Sequence, residues 1–369
     1  MLRIHKIQIK HLINYFIVFI TFFLSACTKH YTLDDFDKVK KIDAHMHYNV
    51  ASLSLIDQAK ADNFRLLTIN TDYPDFPPIE KQQSIAVSLY KSNPEVIAFA
   101  STFHMKGWDD PKWVENTVSH LDSTVELGAI AVKFWKNIGM DFRDSSGKLI
   151  MIDNPKFDTI FKHLREHYIP VIGHQGEPRE CWLPFDKMVI RDLKEYFKEH
   201  PQYHMYLHPD MPSYEDQMNA RDKMLEKNKN MIFMGCHLAS LEWSVDELAK
   251  FFDKFPNAVA DIAARMNQLQ YQTKVDRDKV IRFFDKYQDR ILYGTDITFD
   301  SSANFQAIKQ EAHKVWLEDW KFLATDSVMT IKDFDGEFKG LMLPRKIIDK
   351  IYRLNAERIF TKAWKNKEY

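Results

Sequence analysis

Eight short apolar runs between Lys41 and Tyr293 alternate with stretches of helical periodicity, and this rhythm restricts the fold more than any other feature of the chain. Such runs, separated by amphipathic segments, are the pattern of parallel βαβ units. The runs are Lys41–Met46, Phe64–Asn70, Val96–Phe103, Ala129–Phe134, Ile169–Gly173, Met231–Cys236, Ala258–Ile262 and Ile291–Tyr293. Helical spacing fills Ile79–Lys91, Trp113–Glu126, Phe157–His167, Met188–Glu199, Val245–Phe255, Lys279–Lys286 and Leu343–Phe360. Asn154-Pro155 and Ser244 mark helix starts, one by proline in the first turn and one by a serine cap. Eight strands with helices between them predict an α/β (β/α)8 TIM barrel over an open sheet. One interval is too long for a simple connection. Between the fifth and sixth runs lie Glu177-Pro178-Arg179, a helix, Tyr203–His208 and a second helix over Ser213–Lys227, read as a helical insertion between strands 5 and 6 that lies over the barrel mouth. No element is assigned to residues 297–342.

In such barrels the chemistry gathers at the C-terminal strand ends. The first run closes on Asp43-Ala44-His45-Met46-His47, the fifth on His174, the sixth on His237 and the eighth on Asp296. His45 and His47, two apart on a strand, share a face. Two imidazoles so placed can reach one metal at roughly 2.0–2.1 Å. In a chain with 15 histidines an isolated His-x-His says little. Joined by further nitrogen and carboxylate groups from separate strand ends, it describes an open, catalytic type of metal site. His174 supplies a third nitrogen, and Asp296 can bind the metal and accept a proton from its water. His237 can polarise a substrate, take a proton or bind a second metal. A metal so held lowers the pKa of bound water toward ~7 and polarises a carbonyl, and a carboxylate beside it serves first as base and then as acid.

Bulk properties narrow the partners. With 51 basic and 52 acidic side chains the formal charge is −1, which offers no footprint for nucleic acid. Glycine is scarce, and neither a phosphate loop nor a dinucleotide fingerprint occurs. The N-terminus carries Arg3, Lys6 and Lys10 and then an apolar run, Leu12–Ala26, short for a membrane span and shaped like a secretory signal. It ends in Leu24-Ser25-Ala26-Cys27, which resembles the lipobox of bacterial lipoproteins. The expected organisation is a lipoprotein signal peptide over 1–26, a tether over 27–40 and a TIM-barrel domain over 41–369. The protein is thus expected to be exported and lipid-anchored through Cys27, facing the periplasm, with no other membrane contact. Of the remaining cysteines, Cys181 and Cys236, the latter is read as an inert core thiol.

These motifs together resemble the amidohydrolase superfamily, specifically its amidohydrolase-2 (amidohydrolase-related) branch of metal-dependent hydrolases and decarboxylases. The likeness rests on Asp43-Ala44-His45-Met46-His47, Gly173-His174-Gln175-Gly176-Glu177-Pro178, Gly235-Cys236-His237 with a Leu238–Glu242 turn, Tyr293-Gly294-Thr295-Asp296 and Leu354-Asn355-Ala356-Glu357-Arg358-Ile359-Phe360. It covers the chain from about Lys41 to Phe360. It implies His45, His47, His174 and Asp296 as metal ligands, with His237 near the reacting group. Lys133, in the apolar setting of strand 4, is either paired with a site carboxylate or an acidic substrate, or carboxylated to bridge two metals as in binuclear members of the superfamily. In the second case His174 and His237 move to the second ion. Glu177, Arg179 and Arg265 are candidate substrate contacts, the arginines by their forked donors. The aromatics Trp108, Trp113, Trp135 and Trp182 either line a pocket or pack the barrel.

The expected activity is metal-dependent hydrolysis of an amide, ester or lactone in a small molecule. Asp296, His237 and Lys133 are its catalytic candidates, and the cofactor is one divalent ion with zinc as first choice, or two if Lys133 is carboxylated. Non-oxidative decarboxylation on the same scaffold is the rival chemistry, and a ligand-binding lipoprotein without turnover is the rival class. Substrate and oligomeric state are not encoded in any motif.

Overall fold

The computed structural model describes residues 29–302 and 304–364. The expected signal segment 1–26 and Cys27 lie outside them. Eight parallel strands run in chain order: β1 Lys41–Tyr48, β2 Phe64–Ile69, β3 Ile97–Ala100, β4 Val132–Phe134, β5 Val171–Gly173, β6 Phe233–Gly235, β7 Ala258–Asp261 and β8 Ile291–Leu292. β1 is buried over its whole length, as expected for a parallel strand covered on both faces. Neighbours pair in the order β4-β5-β6-β7-β8 and β3-β2-β1, with a short strand β9 (Thr298–Phe299) beside the end of β1.

Hydrogen bonds cross both seams between these sheets. Ser101 N donates to Ala131 O at 2.9 Å and Lys133 N to Ser101 O at 2.7 Å, joining β3 to β4. Ala44 N donates to Tyr293 O at 2.9 Å and Asp296 N to His45 O at 2.7 Å, joining β8 to β1. The strands therefore form a (β/α)8 barrel, as the sequence rhythm predicts. Gly294 permits the second seam, because a Cβ there would sit 2.9 Å from the Cβ of His45.

The insertion between β5 and β6 is present. It holds helices Arg191–Glu199 and Tyr214–Lys227 and short 3-10 turns, two of which, Pro201–Tyr203 and Met205–Leu207, occupy the Tyr203–His208 region. Ser213 and Asp216 close a reciprocal capping box at the second helix. Ser244 Oγ caps Val245–Lys254 by accepting from Glu247 N.

Three parts of the fold differ from expectation. The unassigned span 297–342 contains β9, a helix over Phe305–Ala324 and an antiparallel hairpin of β10 Val328–Ile331 and β11 Phe334–Lys339. In that helix Ile308, Ala312, Trp316 and Trp320 form a buried stripe at four-residue spacing, diluted in sequence by the charged residues between them. Helices Ser54–Ala61 and Met266–Val275 also escape the periodicity reading. The expected continuous helix Leu343–Phe360 is divided into Arg345–Asp349, a π-helical turn over Lys350–Leu354 and Asn355–Ile359. The wide turn frees the carbonyl of Ile351 to accept from Tyr293 N at 2.9 Å, tying this segment to the end of β8. From residue 29 on, the expected tether lies against these closing helices: Tyr31 OH donates to Asp349 at 2.8 Å and Trp320 Nε1 to Thr32 O at 2.9 Å.

Asp319, on the long helix, accepts from Tyr293 OH at 2.8 Å. Burial pushes its carboxyl up from 3.8 to about 7. A carboxyl raised in the folded state contributes stability below its unfolded pKa and loses it as pH rises through the folded value. Asp319→Asn is therefore expected to melt like the parent near ~pH 4 and above it at ~pH 8, with the gap opening between these values. Thermal melts across that range test this; a gap independent of pH would refute it.

Candidate metal centre

At the C-terminal mouth of the barrel, β1 carries His45 and His47, and the turn after β8 carries Asp296. The Nε2 atoms of His45 and His47 lie 3.2 and 3.3 Å from the same oxygen of Asp296, Oδ1. His237 Nε2 is 4.0 Å from the other oxygen, Oδ2. The remaining nitrogen of each ring is committed. His45 Nδ1 is 2.9 Å from Asp261 Oδ2, His47 Nδ1 is 2.7 Å from Ile69 O, and His237 Nδ1 is 2.8 Å from Ala263 O. A carbonyl or carboxylate oxygen only accepts, which assigns a hydrogen to Nδ1 and, in each neutral ring, leaves a lone pair on Nε2. Lone pairs that face a carboxylate oxygen repel it unless a cation stands between them. His45 Nε2 and His174 Nε2 are moreover buried without a hydrogen-bond partner.

The donor set thus fits a divalent metal. His45, His47 and Asp296 bring ligand atoms within 4.8 Å of one another, and outer hydrogen bonds fix the rings as they do at metal sites. Burial holds His47 below the usual histidine range and His174 well below it, and brings His237 to about 3, so these rings keep their lone pairs at neutral pH. At His45, burial and Lys133 oppose protonation, yet Cys236, Asp261 and Asp296 outweigh them and raise the ring to about 10. That negative field suits a dication as well as a proton. Burial disfavours charge on Asp296 as well, but His237, His45 and His47 overcome it and hold the carboxyl well below its ordinary value.

The backbone that delivers these groups is strained. His237, Leu238, Ala239 and Ser240 all have φ between 56° and 58°, one left-handed turn where β6 ends. Each such residue costs roughly 1–2 kcal/mol, so the conformation must be held from outside. His237 N donates to Asp261 Oδ1 at 2.7 Å, and Tyr214 OH to Ser240 O at 2.5 Å. Gly235 makes room, since a Cβ there would lie 2.5 Å from that of Ala239. Asp296 itself has φ 67°. Strain concentrated on two site residues is the pattern of a functional constraint.

A cavity of about 240 Å³ opens above these groups, and His45, His47, Lys133, His174, His237 and Asp296 all line it. The sequence-derived constellation therefore converges, with two qualifications. His174 stands outside the tight triad, its ring 4.3 Å from that of His237. Lys133, buried at 2% exposure, meets the sulfur of Cys236 at 2.9 Å instead of the expected site carboxylate. Cys236 is a fully buried core thiol, as expected, and in addition accepts from the Lys133 ammonium.

The three expected substrate contacts do not line this cavity. Glu177 pairs with Lys136. The Arg179 guanidinium lies 4.3 Å from the Trp243 ring centroid. Arg265 turns one donor to the carbonyl of Ala264 at 2.7 Å. Of the four tryptophans, Trp135 lines the cavity, Trp108 and Trp113 pack in the core, and Trp182 lies against Tyr214.

Asp261 is the residue that sequence reasoning missed. It closes β7 in Ala258-Val259-Ala260-Asp261, so the strand-end rule would have found it. It is fully buried and bonds both His45 Nδ1 and the His237 amide. Loss of such an outer partner costs ~10–100-fold in metal affinity, which is the fall expected for Asp261→Ala in a competition titration with a metal-binding dye. An affinity equal to the parent's would show that Asp261 does not tune the site.

A family model described as amidohydrolase matches residues 95–362. No curated protein matches the chain by sequence. Among solved structures, a 2,6-dihydroxybenzoate decarboxylase from Rhizobium superposes with TM-score 0.51 at 13% identity, over 87% of this chain and 98% of its own. A protein from Staphylococcus aureus, provisionally described as an amidohydrolase, does so with TM-score 0.52 at 13% identity, over 88% of this chain and 100% of its own. At such identities these likenesses speak for the barrel alone.

Proposed function

The chain belongs to the amidohydrolase family that this model describes, and on that premise we propose that it is a metal-dependent hydrolase of an amide, ester or lactone in a small molecule. The observation that carries the reading is the one carboxylate oxygen of Asp296 shared by two imidazole nitrogens, with the second oxygen turned toward His237. Bound there, a divalent ion supplies a Lewis acid that polarises a carbonyl and makes water acidic near neutral pH. Asp296 takes the proton of the attacking water and returns it to the leaving group. His237 presents a lone pair on Nε2, so it accepts a proton first and can donate to the tetrahedral oxygen only once charged. Lys133 lines the same cavity and would leave the Cys236 sulfur to meet a substrate oxygen. Its contact with Cys236 supports a single ion over a bridged pair, and two or three nitrogens with one carboxylate suit zinc.

Decarboxylation is the second reading, favoured by the two lysines, Lys133 and Lys136, that line the cavity and suit a carboxylated substrate. Assays of amide, ester and lactone panels alongside released CO2 separate the two. Chelation is expected to lower turnover by more than ~100-fold, with recovery on adding zinc or manganese. Turnover that survives complete metal removal would refute both readings. Among the described residues no helix is long and apolar enough to cross a membrane. Export with lipid attachment at Cys27 is proposed from the sequence signal; Cys27→Ser is expected to move the protein out of the membrane fraction, and an unchanged distribution would refute the anchor.

A further inference from the structure

The metal cavity does not end at Lys136. A second cavity of about 350 Å³ shares Tyr73, Lys136 and Asn137 with it and is walled by the insertion between β5 and β6. Polar groups, among them Asp141, Gln202 and His208, line part of it, and the rest is aromatic and thioether: Tyr196 and Tyr203 stand nearly parallel, 7° between planes with centroids 6.4 Å apart, and Met140, Met205 and Met211 face the same space. Methionine sulfur and aromatic faces both favour an aryl group. An aromatic path continues inward, from Tyr73 to Phe76 at 5.4 Å and from Phe76 to His47 at 4.9 Å. At the neck, the Lys136–Glu177 ion pair presents charge where the polar centre of a substrate would pass. Tyr196 and Tyr203 are 40% and 42% exposed, so neither side chain is needed to complete the core.

We propose that the substrate spans both cavities, with its reacting carbonyl over the metal centre and an aryl arm in the outer cavity between Tyr196, Tyr203 and the methionines. The insertion is then the specificity element of the enzyme. This rests on the metal-centre reading for where the polar end sits, but its test needs no turnover. Inert ω-phenylalkanoates, from phenylacetate to 6-phenylhexanoate, place a carboxylate at the metal centre and a ring at increasing distance from it. Calorimetric titration of the metal-loaded full chain is expected to find a chain length at which the ring tightens binding roughly tenfold over the matching unsubstituted alkanoate. The double variant Tyr196→Ala/Tyr203→Ala, checked for an unchanged melting point, is expected to lose that advantage and to bind the plain alkanoate as the parent does. No ring advantage at any length, an advantage that survives in the double variant, or tighter binding of glucuronate than of every phenylalkanoate would each overturn the proposal. A protein that shows the ring advantage yet hydrolyses nothing would refute the hydrolase reading alone.

Discussion

Replacing Asp296 with alanine is expected to lower turnover by at least ~10³-fold, because one side chain serves both as ligand and as proton acceptor. Oδ1 faces the Nε2 atoms of His45 and His47, and Oδ2 faces His237. Alanine removes the only carboxylate in the His45–His47–Asp296 group, so metal content measured by mass spectrometry is expected to fall with the rate. Asp296→Asn separates the two roles. It keeps an oxygen ligand and loses the proton acceptor, so it is expected to retain metal while losing ~10²–10⁴-fold in turnover. Retention of more than a tenth of the parental rate by either variant would sink the proposed mechanism.

The largest effect on stability is expected at Trp316, on the helix over Phe305–Ala324. Its ring is fully buried and stacks on Phe64 at 4.4 Å and 19°. Its Nε1 donates to Asp43 Oδ2 at 3.0 Å. Asp43 in turn accepts from Thr295 Oγ1 at 2.6 Å and from the His45 amide at 3.2 Å, so it links the long helix to both β1 and the turn that carries Asp296. Trp316→Ala is expected to cost about 3–5 kcal/mol through the cavity it leaves. Trp316→Phe keeps most of the packing and loses the N–H, with an expected cost of about 1–3 kcal/mol from the lost hydrogen bond to a carboxylate. Denaturant unfolding followed by circular dichroism measures both. A loss below ~1 kcal/mol for alanine would show that the helix over 305–324 is not part of the cooperative core.

Strand existence and order could be read from sequence because the barrel strands are short and apolar, and parallel strands buried on both faces leave that mark in any window. The strand-end rule then singled out His45, His47, His174, His237 and Asp296, and all five line one cavity. Helix Phe305–Ala324 was not found the same way. Its buried stripe recurs every fourth residue, but charged side chains between those positions lower the apolar content of each window. The π-helical turn at Lys350–Leu354 has no local cause either; it answers a backbone amide on Tyr293.

The difference between strands and partners is one of range. Ligand types and their order along the chain are local facts, since a residue that closes an apolar run closes it whatever the rest of the molecule does. Which atoms meet is a property of closure. Lys133 and Cys236 are 103 positions apart, and His45 and Asp261 are 216 apart; only the curvature of the finished barrel brings them within hydrogen-bonding distance. The same holds for Glu177, Arg179 and Arg265, whose charge suggested substrate contacts: the folded loops turn the arginines toward Trp243 and a neighbouring carbonyl, while Glu177, paired with Lys136, lines the outer cavity. The alternation of apolar runs and the residues that end them thus dictate the barrel and gather its candidate metal ligands at one mouth. Proton placement on the histidines and the shape of the outer cavity arise only when distant segments pack, because hydrogen-bond partners and walls are supplied through space and leave no periodic trace in the chain.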